Sequence, residues 1–435
     1  MKFVIFGKSV SSVEQSLKLS NLDAFLYSLM VGAGESYLPA YALSIGMGEV
    51  FAGILASLPL VSGAVLQLFT PRLLHKVHSH KYWVVLSTLL QAMAFLPLIY
   101  FSLTRAPNFW VLFFIFTLYW GAGFSAGSAW TFWMGHLVPE KESAKYFSFR
   151  ARIQQIGIVL GIVGGGVALH NKVEIGPFSS VFSLLFIFAF VCRLTSTLVL
   201  SKKMYRSEWV LNDQVHRLRD SWSLFWAGQH KKKFFAYLIP FQVAIYMSSP
   251  FVTPYMLAQL KMNYGQYMGA IAALMIGKII SLSFMQKAKS NFDGFKVMML
   301  GLVLISPLPA LWALNEAFYF VVGLQILSGM GWACFEVGLA LVFFQDLRQE
   351  EKVPVLTIYN LLNSVAIIVG TFLGARFLHM MGEVKNSYWI LFVVGASLRA
   401  VFCVPVVLQS RRWKKISDQQ EAAAAPEELL ISKVY

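Results

Sequence analysis

Long apolar stretches separated by short polar ones recur along nearly the whole chain. Each holds roughly 18–28 mostly apolar residues, enough for a helix to cross a hydrocarbon core of about 30 Å. They lie near residues 19–43, 49–70, 82–103, 108–134, 153–169, 179–200, 234–257, 265–285, 297–313, 317–345, 355–378 and 387–409. The pattern therefore predicts an all-α integral membrane protein with twelve transmembrane helices.

The longest polar interruption divides these twelve stretches into two groups of six. It covers residues 201–233 and is rich in lysine at both ends. We therefore predict a cytoplasmic segment at 1–18, six-helix halves at 19–200 and 234–409, a basic cytoplasmic linker between the halves, and a tail at 410–435. Two halves of this kind suggest a duplicated transporter whose site lies between them.

The placement of charge predicts how the chain crosses the membrane. Only 13% of the 435 residues are charged and 57% are hydrophobic, too little charge to cover a soluble protein of this size. Of the 36 lysines and arginines, the predicted outer loops contain only Arg105, Lys172, Lys261 and Lys385. Such a bias predicts that both termini are cytoplasmic, and we expect a bacterial inner-membrane protein. The net charge of +15 thus indicates topology, since a nucleic-acid footprint would be a basic face on a folded domain.

One glycine-rich segment resembles a catalytic motif but lies in the wrong context for it. The sequence GFSAG at residues 123–127 matches the nucleophile elbow of hydrolases, which needs a strand before the turn and a helix after it. This copy lies inside an apolar span, where Gly123 and Gly127 form a close-packing motif instead. A second stripe of the same kind consists of Gly157, Gly161 and Gly165.

Three histidines with the spacing H-x-x-H-x-H occupy residues 75–80 of the first cytoplasmic loop. A metal site is one interpretation, because imidazoles are common ligands. Lys76 and Lys81 crowd the histidines and no carboxylate or cysteine is nearby, so a basic gating loop is favoured. The three cysteines lie within spans and are interpreted as packing residues: Cys192, Cys334 and Cys403. We expect neither enzyme activity nor a bound metal or cofactor.

Four ionisable residues inside apolar stretches are the strongest functional signal. They are Asp23 and Glu35 in the first span, Lys278 in the eighth and Glu336 in the tenth. A charge in hydrocarbon costs a few kcal/mol or more, so such residues usually face a water-filled path or a charged partner. We expect Glu35 and Glu336 to carry proton coupling or cation recognition, with Lys278 as their ion partner. Lys278 could instead extend to the cytoplasmic surface, and for Asp23 a structural role is equally open.

Other polar and aromatic side chains within the spans are candidates for lining a substrate cavity: Gln67, Trp120, Gln242 and Asn363. Trp120 lies deep in the fourth span, where it could stack on a substrate or serve only in packing. The remaining arginines within spans are expected to be structural: Arg193, Arg376 and Arg399.

Three local motifs accompany the layout of two six-helix halves. They are LQLFTPRLLHKVHSHK, AWTFWMGHLVPEKESAKYFSFRAR and GMGWACFEVGLALVF. Together with the loop positions, they make the chain similar to the major facilitator superfamily, and to a poorly characterised bacterial branch of it. The resemblance implies that the first, eighth and tenth helices face a central cavity, where Glu35, Lys278 and Glu336 would converge. The first cytoplasmic loop departs from the family pattern, since His75 and Lys76 stand where Asp-Arg is usual.

These observations predict a secondary transporter that moves a small or medium-sized solute by alternating access. Nothing in the chain resembles an ATP-binding domain, so the energy would come from a gradient, and proton coupling is a hypothesis. Carboxylates with aromatics favour multidrug or organic-cation efflux, while a nutrient, metabolite or peptide permease is the alternative. A transporter-fold receptor or assembly factor is the interpretation from another class. We expect a monomer in the lipid bilayer, with the solute and H⁺ as its partners.

Overall fold

The computed structural model describes residues 10–67, 69–70, 77, 79–104, 109–138, 140–171, 180–205, 222–223, 225–226, 229–287, 293–345, 347 and 349–424. Eleven helices within these ranges are long and apolar enough to cross a membrane. The first span in chain order is not among these eleven. It is broken at Gly34, and its N-terminal turns contain the charged residues Glu14 and Lys18. The loop residues His75, Lys76 and His78 lie outside the described ranges.

Two of the first six spans are divided, the first by a sharp break after Ala33 and the third by a single turn residue, Ala94. The helices of the six spans are Val10–Ala33 with Leu38–Ser44, Glu49–Gln67, His80–Met93 with Phe95–Thr104, Phe109–Leu137, Glu140–His170 and Val181–Ser201. A 3₁₀ turn at Glu35–Tyr37 joins the two parts of the first span. Pro39 lies in the first turn of the second part, where its missing N–H costs no hydrogen bond.

The last six spans contain two interruptions at prolines. Their helices are Gln229–Ser248, Tyr264–Lys287, Gly294–Ile305 with Leu308–Leu311, Phe318–Gln345, Gln349–Met381 and Lys385–Ala424. The seventh span continues beyond Ser248 through a 3₁₀ turn at Ser249–Phe251 and a π-helical turn at Tyr255–Gln259. The sequence pattern predicts one uninterrupted helix there, but Pro250 and Pro254 lack the N–H groups that would continue it.

The chain divides into two compact units. The first comprises Met1–Asp213 with Pro250–Met275 and Ala375–Lys385, and the second comprises Gln214–Ser249, Ile276–Gly374 and Asn386–Tyr435. The first unit therefore includes one end of the seventh, eighth and eleventh spans as well as the first six spans. The half and linker boundaries drawn from the sequence stay predictions.

Glycines let helices of the first unit approach closely. The first span packs against the fifth and sixth, the second against the fourth, and the third against the fourth and sixth. A Cβ added at Gly157 would lie 2.8 Å from the Cβ of Ser28, and one at Gly161 would lie 2.7 Å from the Leu29 carbonyl oxygen. The glycine stripe of the fifth span thus lies along the first span. Gly165 continues it against the Tyr37 ring, Gly123 faces Gln91, and Gly127 faces open space.

A buried arginine stabilises the interrupted spans of the second unit. Arg399 is only 3% exposed and donates to the carbonyl oxygens of Ile305 and Ile245, both at 3.1 Å. Pro309, four residues after Ile305, has no N–H for that carbonyl, and Ile245 lies in the last turn of its helix. The guanidinium also donates to the Ser248 hydroxyl at 2.7 Å. Arg399 therefore satisfies backbone groups that the helix breaks leave open.

Candidate functional site

The break in the first span sets the position of Glu35. The helix ends at Ala33, and Glu35 starts the 3₁₀ turn that follows Gly34. A Cβ at Gly34 would lie 2.7 Å from the Cβ of Ala189 and 2.9 Å from the Phe95 ring, so three helices meet here. Glu35 is half-buried and its Oε2 accepts a hydrogen bond of 2.6 Å from the Tyr119 hydroxyl. A carboxyl group is thus held in the interior of the first unit by a short hydrogen bond from Tyr119.

Asp23 lies on the same helix, but its carboxylate is fully occupied. It is 3% exposed, its Oδ1 accepts from the Ser196 hydroxyl at 2.7 Å, and its Oδ2 pairs with Arg150 at 3.3 Å. The Arg150 guanidinium in turn lies 4.0 Å from the centroid of the Trp130 ring. These contacts favour the structural interpretation of Asp23, because the carboxylate ties the first span to the fifth and sixth.

Arg193 connects to Asp23 through Ser196. Its Nη1 donates to the Ser196 hydroxyl at 3.0 Å, and its Nε donates to Oε1 of Gln91 at 2.8 Å. The side chain is 4% exposed and lies over the Tyr27 ring, 4.8 Å from its centroid. Two carboxylates and two guanidinium groups, from Asp23, Glu35, Arg150 and Arg193, therefore occupy the interior of this unit.

An ion pair joins two spans of the second unit. Lys278 Nζ lies 2.9 Å and 3.0 Å from the two carboxylate oxygens of Glu336. The Glu336 side chain is 54% exposed and that of Lys278 is 22% exposed, although both belong to apolar helices. The pairing that the sequence predicts between the eighth and tenth spans is present, while Glu35 has Tyr119 as its hydrogen-bond partner.

Polar groups of the seventh and eleventh spans accompany this pair. Tyr246 forms a side-chain hydrogen bond with Asn363 and interacts electrostatically with Glu336. The Asn363 Oδ1 atom is buried and accepts no hydrogen bond from the described residues. Gln242 is buried and donates to the Tyr359 hydroxyl at 2.9 Å. An amide oxygen without a donor among the described residues is a feature suited to a hydrogen-bonding ligand.

The other sequence-derived candidates have varied surroundings. Trp120 is half-buried and packs against Phe124, with ring centroids 5.5 Å apart, and Gln67 is half-buried at the end of the second span. Ser125 of the GFSAG segment bonds Thr70 at 2.7 Å and accepts from the Trp83 indole at 2.9 Å. These contacts fit a structural hydroxyl.

A polar cluster at the predicted outer ends of the spans escaped the sequence reasoning. We call it the Gln259 cluster: Glu49, Gln259 and Glu383. The Gln259 amide donates to both carboxylate oxygens of Glu49, at 2.8 and 2.9 Å, and to the Glu383 carbonyl at 2.8 Å, while the Glu49 N–H donates to the Glu383 carboxylate at 2.9 Å. A cavity of about 620 Å³ in the first unit is lined by Glu49 and Glu383 together with Ser44, His170 and Asn263.

The sequence-family model of the Major Facilitator Superfamily matches residues 24–371, which is most of the chain. The chain belongs to this family. A point mutant of the nucleoside transporter NupG superposes with a TM-score of 0.69 at 12% identity, covering 91% of this chain and 99% of that one. The fucose:proton symporter FucP of E. coli gives 0.58 at 12% identity, covering 92% and 99%. No curated protein shows significant sequence similarity.

A third superfamily structure is also similar. A POT family transporter in complex with a thioalcohol-conjugated peptide superposes with a TM-score of 0.60 at 13% identity, covering 92% of this chain and 96% of that one. At these identities the comparisons establish the fold alone. The resemblance inferred from the 6+6 layout is confirmed, and twelve helices fit that fold. The chain is a multi-pass secondary transporter of small molecules.

Proposed function

We propose that this chain is a proton-coupled permease for a polar organic solute that is neutral or zwitterionic overall. The observation that carries the proposal is the ion pair of Lys278 and Glu336, which is partly exposed within two apolar spans. Proton coupling is assigned to Glu35, which lies in the other unit beside Tyr119.

The ion pair supports a solute without net charge. A bare carboxylate would attract an organic cation, but Lys278 already neutralises Glu336 at 2.9 Å. The pair still offers one strong donor and one strong acceptor to a solute, and the Asn363 Oδ1 atom adds an acceptor to which no described residue donates. Nucleoside, fucose and peptide, the solutes in the names of the similar structures, are all rich in hydrogen-bonding groups.

The Glu35–Tyr119 pair supports proton coupling. A carboxyl group in a poorly hydrated interior can exist as a neutral acid or as an anion, and the two forms need different surroundings. Tyr119 donates at 2.6 Å and so favours the anion, whereas a dry environment favours the acid. A group balanced in this way can take up a proton in one state of the carrier and release it in another.

The test is uptake into proteoliposomes with an imposed pH gradient. The compartment from which the solute enters is the acidic one. A panel of nucleosides, monosaccharides, dipeptides and tetraphenylphosphonium is first screened by thermal shift, because a ligand that binds the native state raises its stability. We expect a neutral or zwitterionic compound to stabilise the protein and to accumulate only with the gradient. Lys278→Met and Glu336→Gln should each reduce this uptake at least tenfold.

Other outcomes would decide for the alternatives. Accumulation of tetraphenylphosphonium alone, against its own gradient, would favour organic-cation efflux and contradict the proposal. Binding of a compound with no flux of it under any gradient would favour a receptor with a transporter fold.

A further inference from the structure

We propose that Arg193 is a positioning residue that sets the pH range of proton coupling by keeping Glu35 in its charged form. The inference deepens the proposed function and rests on Glu35 as the proton carrier. The position of the buried Arg193 guanidinium, which supports the inference, does not depend on that assignment.

Two separate routes place Arg193 about one helical turn from Glu35. On the sixth span, Ala189 contacts Gly34, the residue before Glu35, and Arg193 follows Ala189 by four residues. Four residues along a helix correspond to about 6 Å on the same face. The guanidinium is therefore on the side of the sixth span that meets the break in the first.

The second route runs through the fourth span. Tyr119 donates to Glu35, and four residues later Gly123 lies against Gln91, whose amide nitrogen is 2.8 Å from the place of a Cβ. Gln91 is the residue whose Oε1 accepts from Arg193 Nε at 2.8 Å. Both routes thus bring the positive charge to within about a turn of the Glu35–Tyr119 hydrogen bond.

The groups that face Glu35 make Arg193 the nearby cation that matters. Tyr119 comes from the fourth span, Arg193 from the sixth and Tyr27 from the first span itself. Asp23, also on the first span, interacts with Tyr27 and Arg193. Arg150 of the fifth span is engaged directly with Asp23 at 3.3 Å. Arg193 bonds Asp23 through Ser196 and interacts electrostatically with both Asp23 and Glu35. A cation near a carboxyl group favours the carboxylate, so removing Arg193 favours the protonated acid.

The second unit supplies a matched control. Arg399 is also a fully buried arginine of the last helix of its six-helix group, but it donates to the Ile305 and Ile245 carbonyls and to serine hydroxyls. Replacing Arg193 or Arg399 by glutamine removes one buried guanidinium in each case. A loss of general stability should therefore appear in both variants, and an effect on Glu35 in only one.

The experiment is a pH titration of the carboxyl C=O infrared band of the full-length protein in lipid, without any solute. For the wild type and for each variant, the Glu35 band is identified as the one that disappears when Glu35→Gln is added to the same protein. We expect Arg193→Gln to move its titration midpoint about one pH unit upward. Arg193→Lys should stay near the wild type, because it keeps the charge, and Arg399→Gln should leave the midpoint unchanged.

A second variant avoids the case in which Arg193→Gln does not fold. Gln91→Glu puts a carboxylate at the position that accepts from Arg193, so it offsets the positive charge while keeping the hydrogen bond. An upward shift is again expected. Midpoints equal to the wild type in whichever of the two variants folds would overturn the inference and leave the proposed function standing. If instead no band is lost in Glu35→Gln, the proton carrier itself is wrongly assigned.

Discussion

A substitution at Glu35 should abolish transport driven by the proton gradient and leave passive exchange of the solute intact. Glu35→Gln keeps the size of the side chain and the bond from Tyr119 but removes the titration. We expect it to abolish accumulation of the solute against its gradient, by at least tenfold, while exchange of labelled for unlabelled solute continues. The measurement is uptake and counterflow in proteoliposomes.

Glu14→Gln is the control for this substitution. Glu14 is an exposed glutamate of the first helix and pairs with Lys18 at 2.8 Å near the cytoplasmic end predicted from the sequence. It should leave both activities intact. A Glu35→Gln protein that still concentrates solute with an unchanged pH dependence would show that the glutamate is structural.

The sequence reveals charged residues in spans more easily than it reveals their partners. Asp23, Glu35, Lys278 and Glu336 stand out because a charge is conspicuous in an apolar run. Tyr119 is an ordinary aromatic residue 84 positions from Glu35, and Ser196 is 173 positions from Asp23. Such contacts depend on how the helices pack, which no local pattern reports. For the same reason Arg193 reads from sequence as a structural residue.

At the scale of elements, the Gln259 cluster should hold the outer ends of several spans together. Gln259 lies on a π-helical turn, and its amide donates to the Glu49 carboxylate and to the main-chain carbonyl of Glu383. Gln259→Glu replaces that donor by a third carboxylate, so like charges should separate the segments. We expect an impermeant maleimide to label Leu43→Cys, in the cavity wall, at least several times faster in this variant.

Gln266→Glu gives the comparison for the labelling experiment. Gln266 is a half-buried residue in the first turn of the eighth span and exchanges hydrogen bonds with Asn263. Both variants would be made with Cys192, Cys334 and Cys403 replaced by alanine. Equal labelling rates in the two variants would indicate that the cluster does not hold the outer ends.

The segment after the sixth span should make stability depend on pH through Lys203. Lys203 is 1% exposed, and its ammonium group donates to the Met134 sulfur at 3.1 Å and lies 4.4 Å from the centroid of the Trp133 ring. Burial lowers the pKa of Lys203 to about 7, with Arg150 adding to this effect and Asp23 opposing it.

The sign of the effect follows from the proton count. Between pH 7 and the unfolded pKa near 10.5, the unfolded chain holds a proton on Lys203 that the folded chain has lost, so stability rises with pH. We expect the melting temperature to increase by a few degrees from pH 7 to 9, and Lys203→Met to flatten this increase. Lys202→Met, at the neighbouring exposed lysine, should keep the wild-type slope. Parallel slopes in all three proteins would count against a buried, titrating Lys203.

The elements themselves are largely predictable, and their interruptions only partly so. Twelve apolar stretches give the spans because length and hydropathy decide whether a helix crosses the bilayer. Glycines beside Glu35 and the prolines of the ninth stretch indicate breaks that are present. In the seventh span the π-helical turn at Tyr255–Gln259 was not foreseen, since a hydropathy pattern does not register one extra residue in a turn.

For the whole molecule, charge placement predicts that both termini lie in the cytoplasm. A protease-cleavable tag at the C-terminus should then survive protease treatment of right-side-out vesicles and be cut in inside-out vesicles. A tag inserted in the loop between the first and second spans, at Gly46–Gly48, should behave in the opposite way. Cleavage of the C-terminal tag from outside would refute this topology.

The architecture and the family are within reach of the sequence, whereas the solute is not. The 6+6 layout depends on the count and spacing of hydrophobic runs, which the chain displays directly. A preference among solutes depends on a few side chains such as Lys278, Glu336 and Asn363. These side chains come from three different helices, so recognition chemistry emerges only after the bundle has formed.

The buried arginines bear on how the protein enters the membrane during synthesis. An arginine at the centre of a lone helix raises the free energy of insertion by about 2.5–3.5 kcal/mol. Arg193 bonds groups of the third and sixth spans, and Arg399 bonds carbonyls of the seventh and ninth. Each arginine is therefore synthesised after the other helices that supply its hydrogen-bond acceptors. In the natural order of the spans, the acceptors are therefore made first. A circularly permuted chain that began with the twelfth span would have to insert the Arg399 guanidinium before any acceptor from another span existed.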